Sequence, residues 1–138
     1  MNRLETERRI LQIVIAVSCT VPLTVGGIGI VEGASWLRGV GNTPPIDLDS
    51  HFRYLSGIFL ALGVGFASCI PKVEIRMPRI RLLSFMVMAG GLARAWSLMN
   101  VGVPSQGHIW GLCMELGVVP VLMLWQARLA RRYAEAAG

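Results

Sequence analysis

The sequence predicts an all-α protein, a four-helix transmembrane bundle made of two antiparallel hairpins. Four apolar runs bounded by charged residues predict the helices: Ile10–Val31, Tyr54–Ile70, Leu82–Met99 and Ile109–Trp125. At a rise of 1.5 Å per residue, each run crosses most or all of a hydrocarbon core about 30 Å thick. The chain is also 54% hydrophobic and only 15% charged, which is more apolar than soluble domains usually are. The third observation, the distribution of basic residues, sets the orientation.

The first run follows a charged N-terminal segment, as the apolar part of a signal peptide does. It is about 22 residues long, whereas cleaved signal peptides have apolar regions of about 7–15 residues. We therefore expect an uncleaved first helix. Since the four runs leave no room for a separate soluble domain, residues 1–138 are predicted to form a single transmembrane domain.

Basic residues lie in alternate connecting segments. Ten arginines and lysines are found in the N-terminal segment, the loop between the second and third runs, and the C-terminal tail. The loop between the first two runs contains only Arg38, and the loop between the last two contains none. Because basic loops remain in the cytoplasm, we expect both termini to be cytoplasmic. The arrangement that follows is multi-pass and surrounded by the lipid bilayer.

Small residues predict where the helices meet. Gly57, Ala61 and Gly65 repeat at four-residue spacing in the second helix. The first helix has Gly26, Gly29 and Gly33, and the third has Ala89, Gly90, Gly91 and Ala93. Small residues allow helix backbones to approach closely in lipid, so these positions are expected to form helix contacts.

Two prolines are expected to set the bounds of the inner loop. Pro71 should close the second helix, and Pro78 should delay the third. The long first outer loop is expected to contain one short helix near Ala34–Arg38.

Two opposite charges fall inside the apolar runs. Arg94 lies in the third run and Glu115 in the fourth, at nearly equal distances from the middle of the loop that joins them. In an antiparallel hairpin they come to the same depth. Because an unpaired charge at mid-bilayer costs about 2.5–3.5 kcal/mol on insertion scales, we expect an ion pair between them.

The first hairpin repeats this pattern. Glu32 ends the first run and Arg53 precedes the second, again at matching distances from their loop. Three further polar residues lie near the same outer helix ends: His51, Asn100 and His108. The inner halves of the helices contain few polar side chains, so the polarity is expected to be one-sided.

Two interpretations of these residues remain open. In the first, Arg94–Glu115 and Glu32–Arg53 are structural pairs that hold the register of the helices. In the second, Arg53 and Arg94 line an outward-facing pocket with Glu115, where their guanidinium groups bind an anionic, quinone-like or lipid-like headgroup.

No catalytic residues, metal ligands or cofactors are predicted. The histidines lack the close spacing of metal ligands, and no phosphate-binding loop is present. The three cysteines, Cys19, Cys69 and Cys113, lie in different runs without a paired spacing. Nucleic acid is not expected as a partner, because the basic residues flank the apolar runs rather than forming a basic face with aromatic residues.

Two segments resemble a family of short bacterial membrane proteins. They are His51–Gly57, with the apolar, glycine-rich stretch that follows it, and Gly90–Leu98 around Arg94. Glu115 matches an acidic residue that is common in the fourth helix of that family. The family is catalogued as a domain of unknown function and is loosely similar to DoxX-like four-helix proteins. The resemblance implies a four-helix protein of the bacterial inner (plasma) membrane with Arg53, Arg94 and Glu115 as its characteristic polar residues, and it implies no established activity.

Three functional hypotheses follow. The first is a non-enzymatic accessory or structural subunit of a larger inner-membrane assembly. The second is an outward-facing binding or transport module, as a homo-oligomer, for an anionic or quinone-like ligand. The third, by analogy with DoxX-like proteins, is a quinone-associated oxidoreductase subunit without a redox centre of its own.

Overall fold

A computed structural model describes residues 3–137 of the chain. Those residues form five helices: α1 (Arg3–Glu32), α2 (Ile46–Ala67), α3 (Met77–Asn100), α4 (Gln106–Cys113) and α5 (Val119–Ala137). A π-helical turn, Met114–Val118, joins α4 to α5 without a break in the helix. The structure therefore contains four helical stretches long and apolar enough to cross a membrane, as the sequence predicts.

The surfaces of these helices are suited to hydrocarbon. In the most apolar window of each stretch, at most 22% of the residues are buried within the protein. Large side chains such as Val31, Leu92 and Trp96 are more than 60% exposed. Such surfaces are far more apolar than those of soluble monomers. The fold is therefore that of a multi-pass membrane protein.

The second helix begins earlier than its apolar run. α2 starts at Ile46 rather than at Tyr54, and its first turn contains Asp47 and Asp49. Carboxylates are stabilising at the N-terminus of a helix because the unpaired backbone N–H groups there carry partial positive charge. Charged residues that the hydropathy pattern assigns to a loop are thus helical. Before α2, a short 3₁₀ turn spans Gly33–Trp36, close to the predicted short helix.

The third helix also begins before its apolar run. α3 starts at Met77, and Pro78 occupies its first turn. Proline is tolerated there because the first N–H groups of a helix have no intrahelical partner. The prediction that Pro78 delays the helix is therefore wrong. α2 ends at Ala67, and Pro71 lies in a 3₁₀ turn, Ile70–Lys72, that follows it.

The chain divides into two compact units. We call residues 13–70 the α1–α2 unit. Within it, a Cβ built on Gly26 would lie 2.8 Å from the backbone nitrogen of Leu60, so the two helix backbones are in close contact there. Gly63 is packed similarly against Pro22. The contact thus uses the glycines predicted for the first helix, but in α2 it uses Gly63 rather than the face containing Gly57.

We call residues 3–12 together with residues 71–137 the α3–α5 unit. Leu11, Ile80 and Leu129 are among its fully buried side chains. α3 packs against the π-helical turn at Gly91, where an added Cβ would lie 2.8 Å from Leu116 Cδ2 and 2.9 Å from Glu115 Cβ. The absence of a side chain at Gly91 is what allows this turn to approach α3.

Candidate functional site

Arg94 and Glu115 form the ion pair that the sequence predicts. Arg94 Nε donates to Glu115 Oε2 at 3.0 Å, and Arg94 Nη2 donates to Glu115 Oε1 at 3.1 Å. The two parallel bonds make a bidentate pair, the most directional arrangement for arginine and carboxylate. The Glu115 side chain is 12% exposed and that of Arg94 is 33% exposed. The Glu115 carboxylate is therefore largely buried within the protein, and a single guanidinium group compensates its charge.

His108 completes the cluster. Its Nδ1 lies 2.7 Å from Arg94 Nη1. Arginine has only donors, so His108 accepts this bond through the lone pair of Nδ1 and holds its own proton on Nε2. We call Arg94, His108 and Glu115 the Arg94 cluster. Three of the five N–H donors of Arg94 are thereby used within the α3–α5 unit.

The local backbone positions the Arg94 cluster. Arg94 lies one turn after Gly91 on the same face of α3, and Glu115 belongs to the π-helical turn that packs against Gly91. π-Helical turns are rare, and they occur frequently at functional sites. Sequence analysis did not find this turn, because no residue type marks it.

Arg53 is the centre of a second polar cluster, in the α1–α2 unit. Its Nε donates to Asp49 Oδ2 at 2.7 Å, one helical turn away on α2. Its Nη1 donates to the main-chain oxygens of Ile30 and Val31 at the end of α1. Asp49 Oδ1 in turn accepts a bond from the backbone N–H of Ala34 at 2.8 Å.

The expected pairing of Glu32 with Arg53 is therefore wrong. Asp49 takes that place because α2 begins at Ile46, which puts Asp49 and Arg53 four residues apart on one helix. Gly33 makes the turn possible: its φ is +65°, and a Cβ there would collide with the Asp49 carboxylate and the Arg53 guanidinium. The α1 end and the start of α2 are thus joined through one arginine and one aspartate.

The other predicted residues lie outside these clusters. Glu32 is the last residue of α1, and its main-chain oxygen accepts a bond from the Ser35 hydroxyl. His51 is exposed on α2. Asn100 ends α3 and donates its side-chain N–H to the main-chain oxygen of Trp96 at 2.8 Å.

A third polar network, which sequence analysis missed, lies where the start of α1 meets the C-terminal half of α5. Glu7 accepts bonds from Trp125 Nε1, at 3.1 Å, and from Arg132. Arg8 donates to Glu74 at 2.9 Å and to the main-chain oxygen of Pro71 at 2.9 Å. These partners are more than 60 residues apart in sequence, so no spacing could have indicated them. The charged residues of this network, Glu7, Arg8, Glu74 and Arg132, lie outside the four apolar runs, so the network leaves the expected one-sided polarity within the runs as a prediction.

Metal-ligating side chains are dispersed. Among residues 3–137, no group of three or more histidine, cysteine, aspartate or glutamate side chains is close enough to hold a metal ion. All three cysteines are free thiols, and Cys19 and Cys69 are buried.

The fold and the clusters define the class of protein: a helical, multi-pass membrane protein with partly buried arginine–carboxylate pairs. Residues 10–126 match the model of one family, DUF4345, described as a domain of unknown function, and the chain belongs to that family. No curated protein and no solved structure shows a significant match to the chain.

Proposed function

We propose that this protein is a non-enzymatic accessory or structural subunit of a larger assembly in the bacterial inner membrane. The observation that supports this most is that the charged groups of its polar clusters bind mainly one another. The Arg94 guanidinium is bound by Glu115 and His108, and that of Arg53 by Asp49 and two main-chain oxygens. Groups already bonded in this way hold helices in register and leave little for a ligand.

The proposal includes a topology. The helices form two antiparallel hairpins, with both termini and the loop between α2 and α3 in the cytoplasm. The concentration of arginine and lysine in those three segments supports it. Reporter fusions after Gly41, after Ile75 and at the C-terminus test it. We expect a periplasmic signal from the first fusion only.

The test of the accessory role is affinity purification from native membranes in mild detergent, with mass spectrometry of the proteins and lipids that remain bound. We expect a partner subunit at a constant ratio to this chain. Recovery of this chain alone, with a single lipid or quinone species at a constant ratio, contradicts the proposal.

The second candidate is an outward-facing binding module that uses Arg53, Arg94 and Glu115, as a loose likeness to DoxX-like proteins also suggests. The π-helical turn at Glu115 favours it, because such turns occur often at binding sites. In this case a quinone or an anionic headgroup displaces His108 from Arg94. Binding of a quinone analogue to the wild type, and its loss in Arg94→Lys, identifies this function.

A further inference from the structure

A groove of about 500 Å³ lies between residues 74–78 and the C-terminal half of α5. Its lining is mainly apolar and includes Ile75, Met77, Pro78, Ala130, Tyr133 and Ala134. We propose that this groove binds an acidic, amphipathic helix of a partner protein. The inference rests on the proposed accessory role and adds the chemistry of the partner and the surface that receives it.

The charge around the groove is the first reason. The segments that meet at this end of the α3–α5 unit, residues 3–12, 71–81 and 126–137, contain ten basic and four acidic residues. Three of those four acids, Glu5, Glu7 and Glu74, are already in ion pairs with arginines of the same unit. An acidic partner is therefore complementary to what remains.

The unpaired basic residues of these segments are the second reason. Six of the ten form no ion pair within residues 3–137: Arg3, Lys72, Arg76, Arg81, Arg128 and Arg131. The Nε of Arg76, which lies between two lining residues, is buried and has no hydrogen-bond partner among the described residues. A buried donor without a partner is costly, so Arg76, a sequence neighbour of two lining residues, has an unmet hydrogen-bonding requirement.

Two other occupants fit less well. A second copy of this chain would bring the same positive charge to the groove. To fill the whole groove, a lipid would have to extend to the lining residue Ala137, which is 12 residues beyond the end of the fourth apolar run at Trp125. That is about 18 Å along the helix, whereas the headgroup layer is about 5–8 Å thick. A protein helix lying outside the membrane meets no such limit, and grooves of this kind accept amphipathic helices.

The test uses the full-length protein in phosphatidylcholine nanodiscs. The probe is a fluorescein-labelled amphipathic peptide with leucine at helical spacing on one face and glutamate on the other. Ala134→Trp fills the groove, and Ala136→Trp is the matched control, since Ala136 is also exposed on α5 but does not line the groove. Fluorescence anisotropy gives the affinity of each variant.

We expect Ala134→Trp to weaken binding about tenfold or more, and Ala136→Trp to leave it within about twofold. Arg131→Gln should weaken binding, Arg38→Gln should not, and a peptide with lysine in place of glutamate should not bind. Absence of peptide binding, or equal binding to both tryptophan variants, overturns the proposal.

A lipid occupant gives a different result. If Ala134→Trp reduces the retention of phosphatidylglycerol during purification without changing peptide affinity, the groove is a lipid site and the inference is wrong. Co-purification of a partner subunit that is unaffected by Ala134→Trp also overturns it, but preserves the accessory role, so the two proposals fail separately.

Discussion

The bidentate pair between Arg94 and Glu115 makes the most direct test of how this fold is stabilised. Arg94→Leu replaces the charged side chain on α3 with an apolar one. It leaves the Glu115 carboxylate, which is 12% exposed, without its compensating charge. Removing one partner of a fully buried pair costs about 3–5 kcal/mol. Since a third of the Arg94 side chain is exposed, and polar contacts within membranes are often weaker, we expect a loss of about 2–3 kcal/mol.

The double variant Arg94→Leu/Glu115→Leu distinguishes charge compensation from simple loss of packing. It removes both charges, so we expect it to be more stable than Arg94→Leu by about 1 kcal/mol or more. The assay is reversible unfolding in mixed micelles with increasing dodecyl sulfate, followed by circular dichroism.

Arg81→Leu is the matched control, because Arg81 is an exposed arginine on the same helix without an ion pair within residues 3–137. It should change the free energy of unfolding by less than about 0.5 kcal/mol. A double variant no more stable than Arg94→Leu contradicts the argument that the two charges neutralise each other, and it favours the ligand-binding interpretation.

Two further predictions concern glycines in the α1–α2 unit, and both are measured by the same unfolding assay. Gly26→Ala should destabilise by about 1–3 kcal/mol, because its Cβ would lie 2.8 Å from the backbone of α2, whereas its neighbour Gly27→Ala meets no atom within 4 Å and should be nearly neutral. Equal effects of the two substitutions would show that helix propensity, and not the close approach of the helices, determines the change in the free energy of unfolding. Gly33→Ala should cost more than Gly39→Ala: both have positive φ, at about 1–2 kcal/mol each, but only at Gly33 does the new Cβ collide with the carboxylate of Asp49. Equal losses at these two positions would mean that the polar cluster beside Gly33 adapts without cost.

The bounds of the helices show where sequence patterns stop being informative. Hydropathy located each apolar run, but α2 begins eight residues before Tyr54 and α3 five residues before Leu82. In both cases the added turns contain charged residues and lie at a helix N-terminus, where acidic residues or proline are favourable. Hydropathy identifies only the residues that favour the hydrocarbon core. It does not detect the part of a helix that extends beyond that core.

The polar clusters show the same division. The Arg94–Glu115 pair was predictable because a short loop forces two positions at equal distance from it to the same depth. The partner of Arg53 was not, because Asp49 replaces Glu32 only once the α2 start is known. The Glu7–Arg132 pair joins residues 125 positions apart, and no local rule connects them.

The amino-acid sequence by itself determined that this chain is helical and crosses a membrane, because about twenty consecutive apolar residues have no other stable environment. It also determined that Arg94 requires a carboxylate, since an unpaired charge among apolar residues is too costly. Only the tertiary structure decided which glycines bring the helices together, which acid binds Arg53, and that a π-helical turn presents Glu115. These depend on the rotation of one helix against another, and that rotation is set by the packing of many side chains at once.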